Sequence, residues 1–113
     1  QNHLVVEGAG GLLVPLNRKE TILDLITQLG IEVILVSRHY LGSINHTLMS
    51  VELLKNRNIA IKGILFNGAE NKDSESIIQE ITGLTILGRI DELEDLNKGV
   101  ITSIAQELKK KLL

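Results

Sequence analysis

A glutamate next to a cluster of glycines forms the first segment of the sequence that could do chemistry. Glu7 follows the short apolar run Leu4-Val5-Val6, which is strand-like, and it precedes Gly8, Gly10 and Gly11. Glycines let backbone N–H groups approach a ligand closely, and Mg²⁺ is usually held by one or two carboxylates together with phosphates and waters. The segment therefore suits a magnesium-phosphate ligand, although a tight glycine turn with a solvated Glu7 explains the same residues.

The second segment is Leu41-Gly42-Ser43-Ile44-Asn45-His46, at the start of a predicted helix. A glycine just before a helix N-terminus presents free amides and the positive end of the helix dipole, which favours a carboxylate or a phosphate. Ordinary capping of the helix by Ser43 is the alternative explanation. For His46 a structural role is expected, because no His and acid in this sequence have the spacing of metal ligands.

The third segment is Asn67-Gly68, which follows a predicted strand. The amide of Asn67 offers one donor and one acceptor side by side, and this pattern matches an edge of adenine. A plain Asn-Gly turn is the alternative, since that dipeptide is common in turns.

Two familiar nucleotide-binding motifs are excluded. A dinucleotide-binding turn needs G-x-G-x-x-G/A leading into a helix, but here Gly8-x-Gly10 is followed by Leu13 at the sixth position and then by Pro15. A Walker A loop needs G-x-x-x-x-G-K-[ST]; the glycine pairs 63–68 and 83–88 have its spacing, but they continue with Ala69-Glu70 and Arg89-Ile90. Neither motif is present in this sequence.

Strand-like and helix-like segments alternate along the chain and would position these three candidates. The predicted helices span 21–29, 43–55, 73–81 and 100–112, and the predicted strands span 33–36, 59–66 and 84–87. Thr21 with Asp24 predicts a capped helix start, Gly30 predicts its end, and the continuous apolar run 33–36 predicts a strand buried on both faces. The alternation predicts an α/β fold with a mostly parallel sheet and helices on both faces, whose ligands bind beyond the carboxyl ends of the strands.

Composition limits the function classes. The chain has 113 residues, a net charge of -2 and 23% charged residues, which fits one globular domain and gives no basic face for nucleic acid. It has no cysteine, which excludes disulfides and thiolate chemistry. No apolar run approaches the roughly 20 residues that span a bilayer, and no signal peptide is visible, so we expect a cytoplasmic protein without membrane partners.

Three segments of the sequence together resemble one enzyme family. VEGAGGLLVPL, VILVSRHYLGSINHTLMSVELLKNRNIAIKGILFN and LTILGRI, in this order, are similar to the carboxy-terminal half of dethiobiotin synthetases. The resemblance implies an incomplete P-loop NTPase-like Rossmannoid fold, with residues 1–113 as a single α/β domain that is the carboxy-terminal portion of a larger nucleotide-binding domain. It also implies a homodimer.

The resemblance further implies an ATP- and Mg²⁺-dependent ligase of biotin biosynthesis. In this family, CO₂ and an amine of 7,8-diaminopelargonate form a carbamate, ATP phosphorylates it, and the second amine closes the ring of dethiobiotin. The implied metal ligand is Glu7. The implied nucleotide-binding residues are Glu7, Gly8, Gly10, Asn67 and Gly68, with Asn67 at the adenine. The implied substrate-binding residues are Gly10, Gly11, Gly42, Ser43 and Asn45, the last three in contact with the carboxylate tail held across the dimer.

Two other functions fit the same residues. The Walker A loop of the family's amino-terminal half is missing from this sequence, so we expect the chain alone to be inactive. The chain could then be a non-catalytic remnant or a dimerising binding module. A fragment of a cobyrinate-type amidotransferase is the other alternative, because such enzymes share a glutamate-glycine loop, although their pattern fits the second segment less well.

Overall fold

The computed structural model describes residues 2–112, and Gln1 and Leu113 lie outside that range. Helices and strands alternate in the order α1 (Ile22–Leu29), β1 (Val33–Arg38), α2 (Ser43–Asn56), β2 (Ile61–Asn67), α3 (Lys72–Thr82), β3 (Ile86–Ile90) and α4 (Lys98–Leu112). The strands form one parallel sheet in the order β1-β2-β3, flanked by helices, which confirms the predicted α/β class. No helix within residues 2–112 is long and apolar enough to cross a membrane.

Helix α1 begins and ends where the sequence predicts. The Thr21 hydroxyl accepts a hydrogen bond from the backbone of Asp24, and the Thr21 N–H donates to the Asp24 carboxylate at 2.7 Å. Hydrogen bonds from the Thr21 backbone and from Arg57 hold the pKa of Asp24 below its ordinary value. Gly30 ends the helix in the left-handed conformation, with φ of 63°, which glycine adopts without a steric cost.

The prediction that the apolar run 33–36 is buried on both faces is wrong. The segment is a strand, but Ile34 and Val36 are 41% and 57% exposed. Alternate side chains of a strand point to opposite faces of the sheet, and Ile34 and Val36 lie on a face of β1 that the described elements leave uncovered. A continuous apolar run indicates burial on both faces only where both faces are covered.

The strand-like character of Leu4-Val5-Val6 is likewise not realised. These residues have no regular structure in the described chain, and their exposures are 88%, 89% and 54%. A single extended segment needs a neighbouring strand to receive its backbone hydrogen bonds, and no such pairing involves these residues within 2–112.

The core lies around the central strand β2. Ile64 and Phe66 from β2 and Ile78 from α3 are completely buried and form one cluster. Leu35, Ile44, Leu84 and Ile86 pack against this cluster from the neighbouring elements. The core is thus built almost wholly from aliphatic side chains, with Phe66 as its one aromatic residue.

The third strand lies farther along the chain than the predicted span 84–87. It begins at Ile86 and ends at Ile90, and Arg89 and Ile90 pair with Phe66 and Asn67 of β2. Leu84 instead packs against the core from the connection that follows α3. The shift matters because it makes Arg89 part of the sheet, beside the end of β2.

Candidate functional site

The ends of the three strands meet at one edge of the sheet. Arg38 at the end of β1 is in register with Asn67 at the end of β2, and Asn67 is in register with Ile90 at the end of β3. A cleft of about 240 Å³ opens there. Its lining residues are Arg38, His39, Asn67, Gly68, Ala69, Glu70, Asn71 and Glu92.

The cleft has the size and polarity for part of a ligand. Complete ligand sites usually measure roughly 300–1,000 Å³, so 240 Å³ suits a base better than a whole nucleotide. Asn67 is exposed to the cleft and offers an amide donor and an amide acceptor. Arg38, Glu70 and Glu92 add charges of both signs around it.

Gly68 shapes the turn that carries Asn67. Its φ of 103° lies in the left-handed region, where a side chain would be strained. Its N–H donates to the carbonyl of Ile90 at 2.7 Å, and its carbonyl accepts from the guanidinium of Arg89 at 3.0 Å. The backbone that follows Asn67 is therefore bonded to β3 through both of its polar groups.

Beneath this turn lies a network centred on the carboxylate of Glu75, in the first turn of α3. Its Oε2 accepts hydrogen bonds from the His39 Nε2–H at 2.8 Å and from the Asn71 backbone N–H at 3.0 Å. Its Oε1 forms an ion pair with Arg89. Burial alone would raise the pKa of Glu75, but the bonds from Asn71, Arg89 and His39 outweigh it and hold that pKa below its ordinary value.

Phe66 forms the floor of the network. The ring of His39 stacks on the Phe66 ring, with centroids 5.2 Å apart and an interplanar angle of 22°. The guanidinium carbon of Arg89 lies 5.9 Å from the centroid of the same ring. Within residues 2–112, His39 Nδ1 is the one buried side-chain polar atom without a hydrogen-bond partner. The cation-ring contact and the stacking both favour the fixed positions of His39 and Arg89.

The segment 41–46 forms the start of α2, as the sequence predicts, but with a different cap. The N-cap is Gly42, with φ of 94° and no side-chain bond, whereas Ser43 is the first helical residue and is only 4% exposed. The prediction of Ser43 as the cap is therefore wrong, because the chain enters the helix through a left-handed residue. Gly42 and Asn45 are exposed, and the hydroxyl of Tyr40 is hydrogen-bonded to His46 Nδ1 at 2.7 Å across the turn.

The glutamate-glycine segment lies apart from the cleft lining. Gly8 packs against Ile22, since an added Cβ would be 3.2 Å from Ile22 Cγ2. Gly10 and Gly11 have φ of 87° and 124°, which explains why glycine stands at both positions. Glu7 is exposed and, among the described residues, forms no hydrogen bond or ion pair. No group of three or more His, Asp or Glu in residues 2–112 could together hold a metal ion.

The structure thus brings together only part of the predicted site. Asn67 and Gly68 share the cleft, whereas Glu7, Gly8, Gly10 and Gly11 lie outside its lining, with Gly8 against α1, and Gly42, Ser43 and Asn45 lie at the start of α2. The sequence did not single out Arg38, Glu70 or Glu92, although Arg38 ends β1 and the two glutamates follow β2 and β3 by three and two residues, at the edge where ligands bind. Nothing local in the sequence marks Glu75 or Arg89, because their partners are distant along the chain.

Comparison with known proteins finds one matching family model and relatives that are named as ATP-dependent enzymes. The family model described as AAA domain matches residues 1–99. The chain is 53% identical over 107 residues to the ATP-dependent dethiobiotin synthetase of Cytophaga hutchinsonii. The aligned residues cover 95% of this chain and 52% of that protein. The enzyme of the same name from Christiangramia forsetii is 49% identical, over 99% of this chain and 54% of that protein. The one from Nitrobacter hamburgensis is 50% identical, over 87% of this chain and 46% of that protein.

The chain spans about half the length of the curated relatives it matches. Their names agree with the resemblance carried by the glutamate-glycine loop, the LGSINH segment and the asparagine at the end of β2. An α/β fold with a parallel sheet accords with the same assignment. The chain belongs to the AAA domain family, and the relatives compared above are named ATP-dependent dethiobiotin synthetases.

Proposed function

We propose that the protein carrying this sequence is a dethiobiotin synthase, which uses ATP to join CO₂ to 7,8-diaminopelargonate and close the ring of dethiobiotin. The observation that carries the proposal is Asn67, whose exposed amide lies in a base-sized cleft where the ends of β1, β2 and β3 meet. The names of the relatives support the same activity. The chain is then the carboxy-terminal portion of a larger nucleotide-binding domain, and we infer that it acts in the cytoplasm.

In this proposal the cleft holds the adenine of ATP. Asn67 donates to and accepts from the base edge, and Gly68 gives the turn its left-handed conformation. Opposite charges around the cleft restrict the orientations that a polar base can adopt. Phosphoryl transfer depends chiefly on positioning and charge neutralisation, so a fixed base helps to aim the phosphates at the carbamate.

The donor chemistry of Glu7 fits Mg²⁺. Its carboxylate is exposed and carries no bond to another described residue, so it is available as one of the few protein ligands that Mg²⁺ takes together with phosphates and waters. The metal would neutralise charge on the phosphates. Gly8 and Gly10 would line the nucleotide, and the backbone amides of Gly10 and Gly11 would also approach the carbamate.

The start of α2 would hold the other end of the substrate. The Ser43 N–H donates to the carbonyl of Tyr40, but Gly42 supplies no side-chain cap, so the next N–H groups of the first turn, those of Ile44 and Asn45, are available to a carboxylate. Asn45 is exposed in the first turn and can add a side-chain donor. In the proposed homodimer, Gly42, Ser43 and Asn45 contact the carboxylate tail of the 7,8-diaminopelargonate held mainly by the other subunit.

The test is dethiobiotin formation by the intact protein as its source produces it, with ATP, Mg²⁺, bicarbonate and 7,8-diaminopelargonate. Asn67→Ala should raise the KM for ATP about tenfold, the cost of roughly one good hydrogen bond, and Asn56→Ala, an exposed asparagine at the end of α2, should not. Glu7→Ala should reduce the rate and weaken the dependence on Mg²⁺, with Glu52→Ala as its control.

Several results would contradict the proposal. If the intact protein releases no ADP in response to 7,8-diaminopelargonate, the synthase assignment is wrong. If ADP release is normal but Glu7→Ala keeps full activity and magnesium dependence, only the metal assignment is wrong. A cooperatively folded protein that ignores ATP and Mg²⁺ would instead be a binding module.

A further inference from the structure

The turn that carries Asn67 is held from below by residues outside the cleft. Arg89 extends one guanidinium nitrogen to the carbonyl of Gly68 at 3.0 Å and another to the carboxylate of Glu75. A planar guanidinium can serve two acceptors at once in a fixed geometry, which an ammonium group on a flexible stem cannot do as well. The position of the Gly68 carbonyl therefore depends on how Arg89 is held.

Glu75 holds Arg89 and at the same time joins three parts of the chain. It accepts from His39 just after β1, from the backbone of Asn71 before α3, and it pairs with Arg89 in β3. The two ends of the turn that follows Asn67, Gly68 and Asn71, are thus both tied to the same group. Removal of this carboxylate would release the turn at both ends.

The network is shielded enough for these bonds to matter. The side chains of Glu75, Arg89 and His39 are 16%, 17% and 12% exposed. Ion pairs that are open to solvent contribute little, whereas loss of one partner from a shielded pair leaves the other charge uncompensated. The charged and titratable groups that face Glu75 are Arg89 and His39, with Asp91 3.8 Å from the Arg89 side chain.

We propose that Glu75 is a positioning residue that fixes, through Arg89 and Asn71, the orientation of the Asn67–Gly68 turn and so sets the selectivity of the cleft for adenine. Glu75 does not line the cleft. Its effect reaches the ligand through the backbone of Gly68 and Asn71. The inference rests on the proposed function, since it takes the cleft to hold the base of ATP.

Selectivity for the base distinguishes a role of Glu75 in positioning Asn67 from a role in the stability of the fold alone. Two side-by-side hydrogen bonds between an amide and a base need the amide at a fixed angle and distance, since such bonds weaken steeply when bent. Inosine triphosphate has the phosphates and ribose of ATP but carries an oxygen where adenine carries an amine. A turn that has lost its support should therefore bind ATP more weakly while binding of inosine triphosphate changes less.

The experiment measures the dissociation constants of ATP and inosine triphosphate by calorimetry, in the native protein that carries this sequence. The variants are Glu75→Ala, Arg89→Lys and, as a matched control, Glu80→Ala, which removes an exposed glutamate from the same helix. For Glu75→Ala we expect ATP affinity to fall about tenfold, with the preference for ATP over inosine triphosphate falling in parallel. Glu80→Ala should match the unmodified protein.

Arg89→Lys keeps the positive charge, so it tests the inference even if Glu75→Ala does not fold. Lysine can still pair with Glu75 but cannot fork to the Gly68 carbonyl as well, so selectivity should fall here too. The inference is overturned if the folded variants keep the preference for ATP, or if both nucleotides lose affinity equally. If the unmodified protein binds neither nucleotide, the proposed function fails and this inference fails with it.

Discussion

The hydroxyl groups of Ser37 and Thr47 lie 2.8 Å apart and satisfy each other in the interior of the protein. Ser37 is 4% exposed and belongs to β1, and Thr47 is 7% exposed and belongs to α2. The bond therefore fastens the end of β1 to the helix that follows. Because both elements are fixed, the connection between them holds His39 beside Glu75 and leaves Gly42 exposed at the helix start.

The Ser37-Thr47 pair should show energetic coupling in a double-mutant cycle. Ser37→Ala and Thr47→Val each leave one buried hydroxyl without a partner, so each should lower the free energy of unfolding by about 1–3 kcal/mol. The double variant leaves no unsatisfied group, and its loss should be smaller than the sum of the two by about 1 kcal/mol. Urea unfolding measures all three variants, and strictly additive losses would show that the two hydroxyls do not interact.

Gly63 should tolerate no side chain, for a reason independent of its backbone angles. A Cβ at this position would lie 2.6 Å from the carbonyl oxygen of Thr85 and 2.7 Å from Leu87 Cγ, in the packed centre of the sheet. Gly63→Ala should therefore lower the free energy of unfolding by about 1–3 kcal/mol. The control is Gly99→Ala in α4, where an added Cβ is 3.4 Å from Asn97 Oδ1 and the residue is helical. The Gly99→Ala change should be neutral or should stabilise the protein by up to about 1 kcal/mol. Denaturant titrations measure the change in the free energy of unfolding for both variants. A loss of stability in both would contradict the close approach at Gly63.

The cap of α1 should contribute measurably to stability. Thr21→Ala removes the side-chain acceptor for the Asp24 N–H and should lower the free energy of unfolding by about 1 kcal/mol. Ser76→Ala removes an exposed hydroxyl within α3 and should change it by less than about 0.5 kcal/mol. Thermal or denaturant melts of the two variants compare them directly, and equal stability would mean that the capping box contributes nothing to folding.

Acid should weaken the protein partly through Glu75. Because the folded state lowers the pKa of this carboxyl, its contribution is complete above the ordinary glutamate pKa of about 4.3 and is lost as the pH falls through the lower folded value. Glu75→Gln should therefore reduce stability near neutral pH and make the decline between roughly pH 5 and pH 3 shallower.

The corresponding control is Glu80→Gln, which should follow the unmodified protein at every pH, since Glu80 is exposed and bonded to no described side chain. Free energies of unfolding measured at several pH values test the expectation. A Glu75→Gln profile parallel to that of the unmodified protein would show that Glu75 does not titrate differently in the folded state.

Local patterns in the sequence were enough to predict the helices and strands and some of the candidate residues. The helix of α1 is bounded by Thr21, Asp24 and Gly30 because capping and left-handed termination depend on neighbours a few residues away. Asn67 was found for a similar reason, since a polar residue directly after an apolar strand in an α/β pattern lies at the edge where ligands bind. The glycines with positive φ at 10, 11, 42 and 68 were likewise marked by their type alone.

Other properties depended on which elements become neighbours. The exposure of Ile34 and Val36 depends on which elements cover that face of β1, and the unpaired state of Leu4-Val5-Val6 follows from the absence of a partner strand among the described residues. No local pattern contains that information, because the same apolar run is buried where both faces of its strand are covered and exposed where one face is not.

The sequence by itself determined the α/β class, the order of helices and strands and the asparagine at the end of β2, since short-range periodicity and turn chemistry control them. The tertiary structure alone decided that His39, Glu75 and Arg89 form one network beneath that asparagine. Glu75 is 36 residues from His39, and the parallel register of the sheet, not the spacing along the chain, brings them within 2.8 Å. Long-range pairing of this kind depends on the packing of the whole sheet, because each partner reaches the carboxylate from a different strand or turn.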